Sequence, residues 1–286
     1  MCPRSSSVKA KLPIPAVNFF ITPHCNMKCR FCFAHFEDQS LLPWEDKARL
    51  LHVLAEAGMQ KLTIVGGEPL LCRDLRKVVV KARELNVTTS IVTNGALVSS
   101  EWLRDMAPYL DWLGISIDTL DPDANQRSGR AVSGKPLPAD HYLFVARETH
   151  RWGIRLKLNT VVTAWNWRHD LSGFVSELIP DRWKVFRALP ISGQNDAGRD
   201  DFSVTAKQFA NFTSRHAHCQ NVVFEDNEDM EQSYVMVSPD GRLIDNAEGQ
   251  YRFGSPILEC GIAEALAEVS ISPAKFEGRG GNYRWR

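Results

Sequence analysis

The chain has 286 residues, 44% of them hydrophobic, and its 34 Lys and Arg are matched by 34 Asp and Glu. That length holds one barrel-sized domain with a sizeable core, and not two large domains. With zero formal net charge there is no global field for nucleic acid or an anionic membrane, so an anionic ligand has to be met by locally placed cations.

The opening MCPRSSSVKAKLPIP has neither an apolar h-region nor an amphipathic helix, and no later apolar run reaches a spanning length. A cytoplasmic monomer without membrane association is expected. After that lead, VNFFI (17–21) is a short β-rich run ending at Thr22-Pro23. A helix follows from Pro43 to Ala57, with acids in its first turn and Gly58 as its stop. Next come LTIV (62–65), a helix over 74–85, TSIV (89–92), a helix near 100–107 and WLGISI (112–117). The series continues with a helix over 139–152, RLKLNTVV (155–162), a weaker helix around 168–179 and WKVFRAL (183–189).

Six apolar strands alternating with amphipathic helices read as parallel βα units, which right-handed crossovers would close into a barrel or part-barrel. The expected fold class is therefore α/β, a partial (βα)6 TIM-like barrel. Past residue 190 the alternation breaks down into a helix (205–217), a hairpin turning at Pro239-Asp240-Gly241, and a Gly-rich tail. A lead over 1–15, a barrel over 16–190 and an extension over 191–286 are expected.

Three of the seven cysteines fall within eight residues, as Cys25-Asn-Met-Lys-Cys29-Arg-Phe-Cys32, with Phe33 next. C-x3-C-x2-C supplies three thiolates and no fourth, so a [4Fe-4S] cluster held this way keeps one iron open for a chelating ligand. A zinc site completed by His24 or His35 is the alternative that the cysteines alone leave open. Cys2, Cys72, Cys219 and Cys260 are scattered singly and give no disulfide framework, which suits a reducing compartment.

In barrels of this kind the chemistry sits at the C-terminal ends of the strands. Gly66-Gly67-Glu68-Pro69 follows the second strand, Thr93-Asn94-Gly95 the third, and Ser116 and Asp118 end the fourth. Each is an ordinary turn signal by itself. In this order behind a three-cysteine loop, they resemble the radical S-adenosylmethionine (SAM) superfamily. The resemblance implies that SAM chelates the open iron. It also implies that Gly66, Gly67 and Glu68 hold the methionine amino group, and that Phe33, beside the last cysteine, belongs to the cofactor site. Asn94 and Ser116 would meet the ribose or carboxylate.

The fifth strand carries Leu156 and Leu158 on one face and Lys157 and Asn159 on the other. With the leucines under the helices, Lys157 points into the barrel, where an unpaired ammonium is costly. Lys61 opens the second strand, and Arg182 and Lys184 open the sixth. Five residues separate Lys61 from Gly66, roughly 16 Å at about 3.3 Å per residue. Cations converging at the strand beginnings with no protein anion in view point to a polyphosphate, phosphates down and sugar up.

These stretches, with Gly129-Arg130, Gln232-Ser233-Tyr234 and the tail Arg279-Gly280-Gly281-Asn282-Tyr283-Arg284-Trp285, resemble one family, the viperin-like antiviral radical SAM dehydratases. The resemblance runs from about Val17 to Trp285. It implies that Lys61, Lys157, Asn159, Arg182, Lys184 and Arg279 bind the triphosphate of a ribonucleotide. The glycine-rich tail is expected to be mobile until Arg279 draws it onto the phosphates. Arg130 would pair with the SAM carboxylate, and Asn159 and Tyr234 would lie near the reacting sugar. A 5′-deoxyadenosyl radical would take the C4′ hydrogen. Loss of the 3′-hydroxyl would then give a 3′-deoxy-3′,4′-didehydro nucleoside triphosphate, a chain terminator. An external flavodoxin- or ferredoxin-type donor would supply electrons.

Cytidine-using members carry glutamates where this chain has Ser192 and Gln194, and a Gln amide can donate to a carbonyl, which favours UTP over CTP. A GTP cyclase is a rival reading, but its second three-cysteine site has no counterpart in Cys219 and Cys260. A non-catalytic iron–sulfur or zinc module is the other.

Overall fold

The structure, a computed structural model, describes residues 10–36 and 38–285. Residues 1–9 of the expected lead lie outside the described residues. Ten strands form one sheet: β1 (Ala16–Phe20), β2 (Lys61–Val65), β3 (Thr88–Thr93), β4 (Trp112–Ser116), β5 (Arg155–Val162), β6 (Arg182–Arg187), β7 (Val222–Glu225), β8 (Val235–Val237), β9 (Arg242–Asp245) and β10 (Arg252–Pro256). Their order is β10-β9-β8-β1-β2-β3-β4-β5-β6-β7. Pairings from β1 through β7 are parallel, β8 is parallel to β1, and β9 and β10 are antiparallel additions.

The sequence reading places the first six strands and the helices between them within a residue or two in most cases. It stops one strand early. β7 follows the helix Ala206–His216 as a seventh parallel strand beside β6. The expected hairpin is β8–β9, and it also docks on β1 from the other side. The barrel therefore stays unclosed: among the described residues β7 and β10 are the edges of the sheet, and β8 lies between β9 and β1.

Alternation along each strand sets the two faces. Val17, Phe19, Leu62, Ile64, Leu113, Ile115, Leu156, Leu158, Trp183 and Val185 belong to one buried core under the helices. Trp183 is fully buried, and its indole N–H donates to Thr160 Oγ1 at 3.0 Å. Burying an aromatic of that size removes roughly 200 Å² from water, worth about 5 kcal/mol at ~25 cal/mol per Å².

The residues between them, among them Lys61, Gly114, Lys157, Asn159, Arg182 and Lys184, face the interior. Register then fixes who meets whom: Gly114 lies beside Lys157 and Lys157 beside Arg182, while Ser116 lies beside Asn159 and Asn159 beside Lys184. Helix ends follow local chemistry. Thr205 and Gln208 form a reciprocal capping box on the helix before β7. Among the described residues no helix is long and apolar enough to cross a membrane.

Candidate active site

The loop after β1 carries the three cysteines as free thiols, Cys25 exposed and Cys29 and Cys32 half-buried. Two glycines bind the next strand's loop to it. A Cβ on Gly67 would overlap the carbonyl of His24, and one on Gly66, whose φ is 145°, would crowd Thr22. Without side chains the backbones meet: Gly67 N–H donates to Thr22 O and Glu68 N–H to His24 O, each at 2.7 Å.

A third segment closes in from the other side. Gly129, which ends the helix Pro122–Ser128, touches Lys28 and Cys29, and the Cys29 thiol aims at its carbonyl at 3.7 Å. Next to it, Arg130 is buried against Asp118, with Nη2–Oδ2 at 2.6 Å and Nε–Oδ2 at 2.7 Å.

Burial pushes the Cys29 thiol up to about 12, with Arg130 pulling it down. Burial also raises Cys25 and Cys32. A coordinating metal deprotonates such thiols outright, and the Arg130 guanidinium then offsets the anionic charge. The donor set fits a cluster: three sulfurs on one loop, each for a separate iron. Among the described residues no three His, Cys, Asp or Glu side chains are grouped to hold a lone ion, and His24 and His35 are exposed.

Glu68 is fully buried and ties the β2 loop to the end of β3. It accepts from Thr93 Oγ1 at 2.7 Å, Asn94 N–H at 2.8 Å and Leu70 N–H at 3.1 Å. Asn94 faces the cysteine loop: its Nδ2 donates to Asn26 Oδ1 at 2.7 Å, and its Oδ1 accepts from Ala96 N–H at 2.9 Å. Phe33 packs beside the cluster formed by Phe20, Phe36 and Met236. Ser116 is half-buried at the end of β4.

At the opposite ends of the strands the expected cations converge. Lys61, Lys157, Arg182, Lys184 and Arg279 are all buried. Tyr283 of the tail lies among them. Its ring centroid is 4.2 Å from Lys61 Nζ, 5.8 Å from Lys157 Nζ and 4.1 Å from the Arg182 guanidinium carbon, and its hydroxyl bonds to Lys61. Trp112 covers Lys61 and Lys157 from one side, at 5.5 and 5.6 Å. Ring faces attract cations but leave their charge unneutralised.

The tail has protein partners on the sheet. Arg182 Nη2 donates to Gly280 O at 2.6 Å, and Trp112 Nε1 to Trp285 O at 2.8 Å. These contacts dock the tail against β4 and β6.

The expectation that no protein anion faces these cations is corrected. Glu225, at the end of β7, is fully buried, with Lys184 Nζ 2.6 Å and Arg279 Nη1 3.4 Å away. Tyr234 donates its hydroxyl to the same carboxylate and accepts from Lys184 Nζ at 2.9 Å. Burial alone would raise Glu225; Lys184 and Arg279 outweigh it and hold the carboxyl below its ordinary value.

Glu225 set against five cations leaves a large positive excess. Burial first, then Lys157, Lys184 and Arg182, hold the Lys61 ammonium well below its usual range. Burial and Arg182 bring Lys157 down to about 8. Burial brings Lys184 to about 7 against the pull of Glu225. Between the two ends, the Asn159 Oδ1 is buried without a hydrogen-bond partner among the described residues, beside the room that Gly114 leaves.

Sequence reasoning misses Glu225, the Asp118–Arg130 pairing and the place of Tyr283. The run Val222-Val223-Phe224 after a capped helix is the available signal for the first.

The open parallel sheet, with a three-thiol loop over the strand ends, defines a radical SAM enzyme. A model of the radical SAM superfamily matches residues 19–164. Native anSMEcpe with bound AdoMet superposes with a TM-score of 0.68 at 14% identity, covering 92% of this chain and 82% of that one. SuiB of Streptococcus suis bound to S-adenosylmethionine does so at 0.63 and 20%, covering 80% and 59%. Such distant likeness speaks for the fold.

Closer relatives share one name. S-adenosylmethionine-dependent nucleotide dehydratases of Lacinutrix mariniflava and Flammeovirga pacifica are 43% and 40% identical over 95% and 96% of this chain. The chain spans 59% of the first relative's length and 97% of the second's. The RSAD2 protein of Oncorhynchus mykiss, of the same name, is 34% identical over 94% of this chain and 80% of its own length. The chain belongs to the family of S-adenosylmethionine-dependent nucleotide dehydratases.

Proposed function

We propose that this enzyme removes water from the ribose of a pyrimidine ribonucleoside triphosphate, UTP in preference to CTP, giving the 3′-deoxy-3′,4′-didehydro analogue. The observation that carries the reading is the cluster of five buried cations at the strand beginnings, with an unpartnered Asn159 oxygen between it and the cysteine loop.

When bound, the cluster and SAM supply the reducing electron and the hydrogen-abstracting radical. The chain supplies position. Lys61, Lys157, Arg182, Lys184 and Arg279 receive the triphosphate. The Asn159 carbonyl accepts from a sugar hydroxyl, and Tyr234 stands beside it. Gly66, Gly67, Glu68, Asn94, Ser116, Phe33 and Arg130 form the SAM end. Arg130 keeps Asp118 as partner while its remaining N–H donors serve the SAM carboxylate.

The lean to uridine has one local support. Gln194 Oε1 accepts from the His35 backbone N–H at 2.7 Å, which leaves the amide N–H donors for a base carbonyl. An external flavodoxin- or ferredoxin-type donor would approach on the side of exposed Cys25. A chain-terminating product gives the reading an antiviral role in a cytoplasmic, monomeric enzyme.

Binding tests the phosphate assignment. Removing one charge-assisted hydrogen bond should cost about 1.5–3 kcal/mol, so triphosphate should bind at least about tenfold tighter than diphosphate, and diphosphate tighter than monophosphate. Because their surroundings bring Lys157 to about 8 and Lys184 to about 7, binding a polyanion should take up protons and weaken as pH rises from 7 to 9. The ligand-free protein should move the other way. Its folded pKa values lie below the ordinary 10.5, so the unfolded chain holds more protons and stability rises with pH over 7 to 10. Titration calorimetry in buffers of different ionisation enthalpy reads both affinity and proton uptake. Free nucleoside binding as well as triphosphate would refute the assignment.

A further inference from the structure

A carboxylate among phosphate-binding cations works against the ligand. Glu225 is fully buried, repels an incoming triphosphate, and is stripped of its hydration. A site shaped for phosphate affinity alone would leave it out. Its neighbours show what it does instead. One oxygen, Oε1, takes Lys184 at 2.6 Å and Arg279 at 3.4 Å, and the other takes the Tyr234 hydroxyl. Lys184 also donates to that hydroxyl at 2.9 Å, so carboxylate, ammonium and phenol close a three-membered ring of interactions. The Arg279 guanidinium lies 3.7 Å from the Tyr234 ring centroid and donates to Ser233 O at 2.9 Å, which fixes the other side of the phenol.

The place in the fold matters equally. Glu225 ends β7, an edge strand of the open sheet, and Tyr234 precedes β8, which pairs with β1 and β9 and not with β7. Here side chains join four segments: strand β6 through Lys184, β7 through Glu225, the segment before β8 through Tyr234, and the tail through Arg279. The direction of the Tyr234 hydroxyl is set by a carboxylate on a strand that does not pair with β8.

We propose that Glu225 is a positioning residue for the nucleotide reaction: it gives up phosphate affinity to hold Lys184, Arg279 and the Tyr234 hydroxyl in one arrangement around the sugar. The assignment rests on the nucleotide reading above and adds a residue to it. It predicts an unusual split. Glu225→Gln keeps the shape of the side chain and removes the negative charge. Triphosphate affinity should hold within about threefold or tighten, because the repulsion is gone. Product formed per SAM cleaved should fall at least tenfold, because the phenol is no longer directed.

The experiment measures three quantities on the reconstituted holoenzyme: the triphosphate dissociation constant by calorimetry, the 5′-deoxyadenosine-to-product ratio by mass spectrometry, and the melting temperature. Tyr234→Phe, which keeps the carboxylate and deletes the hydroxyl it holds, should show the same split. The double variant should be no worse than either single one. Should Glu225→Gln fail to fold, Tyr234→Phe carries the test alone. A product ratio within twofold of the parent in either variant would overturn the assignment. So would affinity and product falling in proportion with the melting temperature, the pattern of a merely structural strut. Failure of the nucleotide reading itself would appear in the parent enzyme, as neither triphosphate binding nor product.

Discussion

Replacing Gly67 with Ala is expected to cost the protein its cluster while leaving its barrel folded. A Cβ at this position would overlap the backbone carbonyl of His24, one residue before Cys25, and backbone cannot rotate away as a side chain can. Relief requires the β2 loop to lift from the cysteine loop, which breaks the Gly67–Thr22 and Glu68–His24 hydrogen bonds together. Overpacking of this kind costs about 1–3 kcal/mol of stability, which a buried core this large can absorb. The functional loss should be far greater, since Glu68 anchors the loop through Thr93 and Asn94 and the whole SAM end moves with it. Iron content after anaerobic reconstitution should fall by more than half, and SAM cleavage by about a hundredfold or more, as misplacement by about 1 Å does elsewhere. Circular dichroism should stay that of the parent. A Gly67→Ala protein with full iron content and normal SAM cleavage would show that the close approach has no functional role.

Asn159→Ala is the second large effect. The buried Asn159 Oδ1 has no partner among the described residues, a state that costs about 1–3 kcal/mol and points to a donor supplied by the ligand. Its strand neighbours are Ser116 on one side and Lys184 on the other, so it stands between the two ends of the site. Loss of the amide should barely change phosphate binding, because the cations remain. SAM should still be cleaved, but with many more 5′-deoxyadenosine molecules per dehydrated nucleotide, and product formation should drop by roughly a hundredfold. Lys157→Ala, two residues earlier on the same face, should do the reverse, weakening nucleotide binding by about one to two orders of magnitude and leaving the coupling ratio near normal. An unchanged ratio in Asn159→Ala would place the sugar elsewhere.

What can be read in the sequence follows from how local the signal is. The cysteine loop is legible because C-x3-C-x2-C is chemistry written in eight residues. β5 matches its expected span, residues 155–162, because polar residues facing a closed interior stand out in an otherwise apolar parallel strand. The inward Lys157 and Asn159 follow from alternation alone. Glu225 cannot be found that way. Its strand is four residues long, and its meaning arises only when β7 lies beside β6 and Glu225 meets Tyr234. The pairing of β8 with β1 joins residues more than two hundred apart in the chain, and hydrophobic pattern does not encode such a choice of neighbour. Arg130 stands out through the family resemblance, but nothing local marks its partner Asp118 as more than a strand end. Tyr283 sits in a recognisable tail with no sign that its ring rests among three cations.

The most direct measurement uses UTP and CTP carrying deuterium at C4′, incubated anaerobically with the reconstituted enzyme, SAM and a reductant. The proposed reaction predicts one deuterium in 5′-deoxyadenosine for each nucleotide that loses water, with UTP turned over faster than CTP. Product formation without deuterium in 5′-deoxyadenosine, or SAM cleavage that ignores every nucleoside triphosphate, would contradict it.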